Sequence, residues 1–396
     1  MHENGFWRLR VKPVDAIIIG GGPAGLACAF GMRRLGLSAV ILEKAETVAS
    51  AWRRHYDCLH LHTERAHSGL PGMPMPQSYP IFPSRAQVVE YFESYADRFD
   101  LRPAYRANVS RIRRHGAGWL VEADGNSMVS PNVVVATGWA DFPYVPTWPG
   151  SDEFRGSLVH SSAYRNAAPY RGKRALVVGY GNSGAEIALD LFRSGVDTAL
   201  SVRGPVQIMP LKLFGVPSAT WGIAQRRIPA RLADRLNRPL LLLATGRIEK
   251  VGLRRAAKGP RRLVEEDGRS PVIDVGTLAR IRDGSIKVRG GIDRLASAGV
   301  VFSDGRAENF DAIILATGFR PDLRKIAPDL PGVFDSSGKP LASGRATSEP
   351  GLYFCGAIAS PAGQLREIGI EALRIAKLAK QRLEAVGATN AASRFD

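Results

Sequence analysis

Two glycine-rich segments of one design stand 159 positions apart in this chain. The first reads Gly20-Gly21-Gly22-Pro23-Ala24-Gly25, the second Gly179-Tyr180-Gly181-Asn182-Ser183-Gly184. Both are G-x-G-x-x-G. Each follows a short apolar run, Ala16 to Ile19 and Ala175 to Val178, and each leads into a helix-like stretch. Glycines at this spacing allow a tight turn and close approach of a pyrophosphate. The N–H groups of the helix start then face the phosphate oxygens. One such match is a short pattern. Two in a strand–turn–helix setting point to two dinucleotides on one chain, and so to redox chemistry.

The residue that ends the next strand tells the two loops apart. Ala39 to Leu42 delivers Glu43, 18 residues after Gly25, with Lys44 behind it. A carboxylate there accepts both hydroxyls of an adenosine ribose. In the second unit Thr198 to Val202 ends at Arg203, read as the counterpart of Glu43. An arginine in that place pairs with a 2′-phosphate. The first loop therefore suits FAD, with Trp52 beside it, and the second suits NADPH, with Asn182 and Ser183 as holding groups. Near the C-terminus, Gly356 and the helix start at Gln364 offer further N–H groups toward a flavin or phosphate.

The elements that position these residues follow an α/β pattern. Strand 15–19, a helix from Ala24 to Leu35 stopped by Gly36, and strand 39–42 make the first unit. Residues 51–83 are irregular, and a helix follows from Arg85 to Phe99. Val109 to Glu122 alternates as a small β-meander, and Asn132 to Ala136 is a buried strand ending in Ala136-Thr137-Gly138. Ile286 to Val288 and Gly299 to Phe302 suggest a second meander. Asp311 to Leu315 is another buried strand, ending in Ala316-Thr317-Gly318. The repeated Ala-Thr-Gly marks a duplicated architecture. Leu352 to Phe354 is a last strand, before a C-terminal helix from Gln364 to about Glu384. The expected fold is two Rossmann-like, three-layer dinucleotide-binding domains, each with a small β-meander, plus a helical insertion. Residues 13–165 and 309–396 are assigned to the FAD domain. Residues 166–308 are assigned to the NADPH domain, with the insertion at about 212–265.

Bulk properties exclude several classes. The chain has 396 residues, with 45% hydrophobic and 23% charged content, ordinary for a globular protein. No apolar stretch approaches the ~20 residues of a membrane span. Met1 to Lys12 lacks a signal core and reads as an extension before the first strand, so a cytoplasmic location is expected. Three cysteines, Cys28, Cys58 and Cys355, form neither a disulfide framework nor a Cys-x-x-Cys pair. They argue against a dithiol reductase. His60, His62 and His67 have no metal spacing, and no metal is expected. Net charge is +17. Between Lys212 and Arg262 thirteen Lys or Arg face two acids. No nucleic-acid module accompanies them, so nucleic acid is not an expected partner. Arg231, Leu232, Leu236, Leu240 and Leu243 can form a basic amphipathic helix for weak membrane-surface contact.

Before the second loop lies Phe154-Arg-Gly156-Ser-Leu-Val-His160-Ser-Ser-Ala-Tyr164. It matches the F-x-G-x-x-x-H-x-x-x-Y fingerprint of flavin-containing monooxygenases. Gly181-Asn-Ser-Gly-Ala-Glu186, the stretch 270–279, Asp311 to Phe319, and Tyr56 to His62 resemble the plant YUCCA-type branch, over roughly residues 15–380. The resemblance implies an NADPH- and FAD-dependent monooxygenase that forms a C4a-(hydro)peroxyflavin from O2. It implies oxidative decarboxylation of an aryl 2-oxo acid such as indole-3-pyruvate. An N- or S-oxygenase of a small nucleophile stays open, as does a flavin-binding redox sensor or scaffold with uncoupled NADPH oxidation. The chain departs from the wider family at Leu61-His62-Thr63-Glu64, where many members carry Asn, and at Ser50-Ala51, where glycines are usual. No catalytic residue is assigned. His160 is read as a structural residue between the two nucleotide units.

Overall fold

The computed structural model describes residues 13–392, so the N-terminal extension expected over residues 1–12 lies outside the described residues. The chain opens with β1 (Ala16–Ile19), α1 (Pro23–Arg34) and β2 (Ala39–Leu42). A helical turn, α2 (Ser50–Arg53), and an irregular run precede α3 (Arg85–Arg98). The strands β3 (Val109–His115), β4 (Gly118–Ala123) and β5 (Asn126–Ser130) form an antiparallel meander before β6 (Asn132–Val135). After β7 (Ser157–His160) comes the second unit: β8 (Arg174–Val178), α4 (Asn182–Arg193) and β9 (Asp197–Ser201).

The insertion starts beyond β10 (Ile208–Pro210). It holds the hairpin β11 (Lys212–Leu213) and β12 (Val216–Pro217), then α5 (Ser218–Ala224), α6 (Ala230–Thr245) and α7 (Pro260–Asp267). Next come β13 (Val272–Asp274), α8 (Thr277–Arg282) and β14 (Lys287–Arg289). The second meander is β15 (Ile292–Ala296), β16 (Gly299–Phe302) and β17 (Ala307–Asn309). Last are β18 (Ala312–Leu315), β19 (Leu352–Phe354) and α9 (Gln364–Ala392).

Two parallel sheets carry the structure. One has the order β19-β6-β1-β2, the other β14-β9-β8-β18-β7. Strand side chains alternate between the faces of a sheet, and both faces are buried here. Ala16, Ile18 and Val134 pack under α1, α3 and α9, whereas Ile17, Ile19, Val133 and Val135 pack on the first meander around Ile112 and Trp119. In the second unit Ala175, Val177 and Ile314 face α4 and α8, while Leu176, Val178 and Ile313 face the second meander at Leu295, Val300 and Phe302. Each unit is thus helix, parallel sheet, meander, the expected three layers. This burial on both sides explains why β1 and β18 are apolar throughout and why β6 and β8 are apolar after their first residue.

Four details differ from the reading of the sequence. The first meander continues past Glu122 to Ser130, because the hairpin at Asp124-Gly125 adds β5. Ile286 to Val288 belongs to no meander; Lys287–Arg289 is the edge strand of the second parallel sheet. The boundaries at 165 and 308 cut through that sheet, because β7 and β18 both lie in it and β18 pairs with β7 and β8. Residues 51–83 are irregular apart from α2 and a short 3-10 turn, Arg65–His67.

Candidate active site

The two glycine loops share one backbone plan. Gly20 has φ +110° and Gly179 φ +105°, a region that favours glycine. A Cβ on Gly20 would stand 2.6 Å from the Ala136 carbonyl oxygen, and one on Gly179 would stand 2.5 Å from that of Ala316. The two Ala-Thr-Gly endings are therefore the backbones on which the first glycines rest. A Cβ on Gly25 or Gly184 would overlap the carbonyl oxygen of Gly20 or Gly179, so these glycines let helix and strand pack. Gly22 and Gly181 differ: a Cβ there meets nothing within 4 Å. Both are N-caps without a side-chain cap, so the N–H groups of α1 and α4 open onto free space. That is the layout an incoming phosphate requires.

In front of the first loop lies a cleft of about 680 Å³. Gly20, Gly22, Pro23, Ala24, Glu43, Lys44, Trp52, Gly356 and Gln364 all line it. Glu43 is only 5% exposed. Its Oε2 accepts the Gly21 N–H at 2.6 Å and its Oε1 accepts the Ala45 N–H at 2.8 Å, which fixes the carboxylate on the cleft floor. Lys44 pairs with Asp141 at 2.9 Å. At the other end the Gly356 N–H donates to Glu371 Oε2 at 2.7 Å, and burial raises the pKa of that carboxyl. Gln364 spends its amide on the Gly356 and Ile358 carbonyls, at 3.2 and 3.3 Å, so it shapes the loop. Arg54, Thr137, Phe319 and Lys325 also line the cleft. Thr137 belongs to the first Ala-Thr-Gly ending and Phe319 to the stretch 311–319, whereas Arg54 and Lys325 carry no local signal in the sequence.

The second site is open. Asn182 Oδ1 accepts the Ile273 N–H at 2.7 Å and ties β13 to the start of α4. The strand register corrects one equivalence. Gly20 N–H donates to Leu42 O and Gly179 N–H to Ser201 O, at 2.8 and 2.9 Å. Val202 is therefore the counterpart of Glu43, and Arg203 matches Lys44. A residue with no carboxylate at the Glu43 position leaves room, and the exposed Arg203 stands just beyond it. The Arg254 guanidinium holds the Arg203 carbonyl at 2.6 Å, bringing a second arginine, unforeseen in the sequence, to this place.

Phe154, Gly156, His160 and Tyr164 line neither the cleft nor the cavity described next. Phe154 packs against the second meander's core, and a Cβ on Gly156 would stand 2.6 Å from the Asp311 carbonyl oxygen. His160 Nε2 lies 3.1 Å from Gly318 O and its Nδ1 lies 2.9 Å from Ser162 Oγ; burial lowers the pKa of the imidazole. Tyr164 donates to Asp190 Oδ2 on α4 at 2.5 Å and stacks on Tyr170. The fingerprint holds β7 against the Ala316–Gly318 backbone and α4. Tyr164→Phe is expected to lose about 1.5–3 kcal/mol of stability, the worth of a hydrogen bond to a charged group. Urea unfolding checks this, with NADPH binding retained.

Between the two sites lies a cavity of about 290 Å³. Met209, Leu213, Trp221, Leu241, Val264 and Ile273 give it apolar walls, mostly from the insertion. Asn182 of the second loop lines it, and Gln364 and Trp139 line both this cavity and the first cleft. His62 and Thr63 complete it. His62 Nε2 stands 2.8 Å from Glu186 Oε1, off the line of a good hydrogen bond. Glu186 is buried on α4, one turn after Asn182. This pairing joins a loop histidine to an acid on α4 and leaves no trace in spacing along the chain; His60, by contrast, is exposed and lies against the Cys58 carbonyl. No group of His, Cys, Asp and Glu able to hold a metal occurs among the described residues.

Comparison with known proteins places this geometry. Residues 17–210 match the family described as pyridine nucleotide-disulphide oxidoreductase. The chain is 40% identical over 330 residues to the indole-3-pyruvate monooxygenase YUCCA1 of Oryza sativa subsp. japonica, covering 82% of this chain and 81% of that one. It is 35% identical over 400 residues to the rice indole-3-pyruvate monooxygenase YUCCA4, covering 95% and 90%. Among solved structures, a flavin-containing monooxygenase from Stenotrophomonas maltophilia matches with TM-score 0.71 and 25% identity, over 94% of this chain and 99% of that one. The chain belongs to the YUCCA branch of the flavin-dependent monooxygenases.

Proposed function

We propose that this protein binds FAD in the first cleft and NADPH at the second loop, and inserts oxygen into an aryl 2-oxo acid held in the cavity between them. The observation that carries this reading is the shared wall. Gln364 and Trp139 belong to both the cleft and the cavity, and Asn182 belongs to the cavity and the second loop. A substrate there sits beside the meeting point of both cofactors. When bound in the first cleft, the flavin would supply the electrons of NADPH to dioxygen. The chain's residues bind and orient. Glu43 accepts the ribose hydroxyls, the α1 N-terminus faces the pyrophosphate, and Arg203 with Arg254 takes the 2′-phosphate. The apolar walls keep water from the reacting oxygen.

Indole-3-pyruvate, the substrate named for the rice relatives, fits this class. The reaction balances as 2-oxo acid, O2, NADPH and a proton giving the shortened acid, CO2, NADP+ and water. Incubating the holoprotein with indole-3-pyruvate and NADPH should release one CO2 per NADPH. Arg203→Ala should weaken NADPH on the order of tenfold to a hundredfold, as for loss of a charge-assisted contact, and leave NADH unchanged. Equal loss for both would remove the phosphate role.

One observation favours the second reading, N- or S-oxygenation of an uncharged nucleophile. Arg261, the arginine lining the cavity, is committed: it donates to the Gln225 and Ile228 carbonyls at 2.7 Å and to Glu265. A substrate carboxylate would have to be met by His62. Formation of an N- or S-oxide without CO2 release would select this second reading. Three free thiols fit a reducing compartment such as the cytoplasm.

A further inference from the structure

The helix α6 carries two features that oxygen transfer does not use. Leu232, Leu236 and Leu243, spaced four and seven residues apart, are 49%, 56% and 75% exposed. They form one apolar stripe on the outside of the insertion. Arg231, Arg235 and Arg238 lie on the flank of that stripe and line a cleft of about 940 Å³.

The far wall of the cleft is basic too, but its charges are spent. Arg255 holds the Gly246 carbonyl at 2.7 Å, and Lys258 and Arg262 pair with Glu266 at 3.0 and 2.9 Å. The three arginines of α6 make no ion pair among the described residues. The helix has one acid, Asp234, and it is buried; its oxygens accept the Arg261 and Arg262 N–H groups at 3.0 and 3.1 Å. The exposed face of the helix therefore holds positive charge and leucine with no exposed acid of its own; across the cleft Glu249 is exposed and lies 3.7 Å from the Arg255 guanidinium.

We propose that α6 docks the protein on an anionic lipid surface. Headgroup phosphates enter the arginine cleft, and Leu232, Leu236 and Leu243 enter the headgroup–acyl boundary. Charge selects this occupant. A second copy pairing through the same face would bring two rows of three arginines together with only Glu249 of each copy, already beside Arg255, to offset them. A bilayer carrying phosphate groups complements both the row and the stripe. The contact is peripheral, because no described helix is long and apolar enough to cross a membrane.

The test is flotation of the full-length holoprotein with vesicles of phosphatidylcholine alone and of phosphatidylcholine with phosphatidylglycerol. The protein should float with the anionic vesicles only, and less so as salt rises. Replacing Arg231, Arg235 and Arg238 by Gln should cut binding on the order of a hundredfold, from three basic side chains near a charged surface. Leu236→Ser with Leu243→Ser should cut it at low salt as well, where charge alone would still hold. Both variants should keep wild-type melting and NADPH oxidation. Absence of flotation with anionic vesicles overturns the proposal. So does a dimer, measured by sedimentation, that the leucine variant dissolves while vesicles leave the wild type unbound. Equal protection of the arginines by inorganic phosphate, without vesicle binding, overturns it in favour of a free anion.

Discussion

Gly184→Ala should abolish NADPH-dependent flavin reduction while the protein stays yellow with bound FAD. The new Cβ would overlap the Gly179 carbonyl oxygen and lie 3.3 Å from Ala316 Cβ. Both obstacles belong to the packed interior, so α4 must back away from β8 and its N-terminus must leave the phosphate position. Overpacking of this kind costs about 1–3 kcal/mol of stability, and loss of the cradle should lower the reduction rate at least about a hundredfold. Gly181→Ala makes the complementary experiment. Its Cβ meets nothing within 4 Å, so stability should hold. The added methyl would stand where the pyrophosphate approaches, so NADPH binding should still fail. Stopped-flow flavin bleaching and urea unfolding on both variants separate the roles. Wild-type reduction by Gly181→Ala would place the nicotinamide nucleotide elsewhere.

His62→Gln should raise the KM for an aryl 2-oxo acid by roughly tenfold to a hundredfold, the equivalent of about 1.5–3 kcal/mol for a lost charged hydrogen bond. His62 lines the central cavity beside Glu186, and the cavity's arginine is already spent on carbonyls and Glu265. A sulfide substrate carries no carboxylate and should bind the variant as it binds the wild type. Glu186→Gln should reproduce part of the effect, because it removes the charge that orients the imidazole. The KM split between the two substrate classes is the readout; a uniform fall in kcat would show a structural role. Substrate-free NADPH oxidation should change little in either variant.

The fold was legible because glycine and apolar runs answer to local demands. Gly20 and Gly179 must take a positive φ against a carbonyl, and no other residue does so without strain. Runs such as Ala16–Ile19 and Ala312–Leu315 are apolar throughout because the sheet is covered on both faces. Sheet membership was not legible. β7 and β18 are 155 positions apart at their last residues, yet they pair, and no pattern along the chain records that. The one-residue offset between Glu43 and Arg203 has the same origin, since strand ends are set by partners in the sheet. The first glycine loop and Glu43 stand together at the first cleft, where spacing put them. The cavity was hidden, because His62 and Glu186 come from a loop and a helix 124 positions apart and Trp221 comes from the insertion. The fingerprint Phe154–Tyr164 was visible as a motif, while its work, holding Gly318 and Asp190, is a matter of tertiary contact.

In the proposed reaction one oxygen atom of O2 enters an aryl 2-oxo acid as its carboxyl group leaves. The direct measurement is turnover of indole-3-pyruvate with NADPH under 18O2, with mass analysis of the acid and of the CO2. Oxygen transfer with decarboxylation requires one 18O in the shortened acid, none in the CO2, and NADPH consumed in equal amount. Unlabelled acid with hydrogen peroxide matching the NADPH consumed would contradict it, because the protein would then reduce oxygen without transferring it.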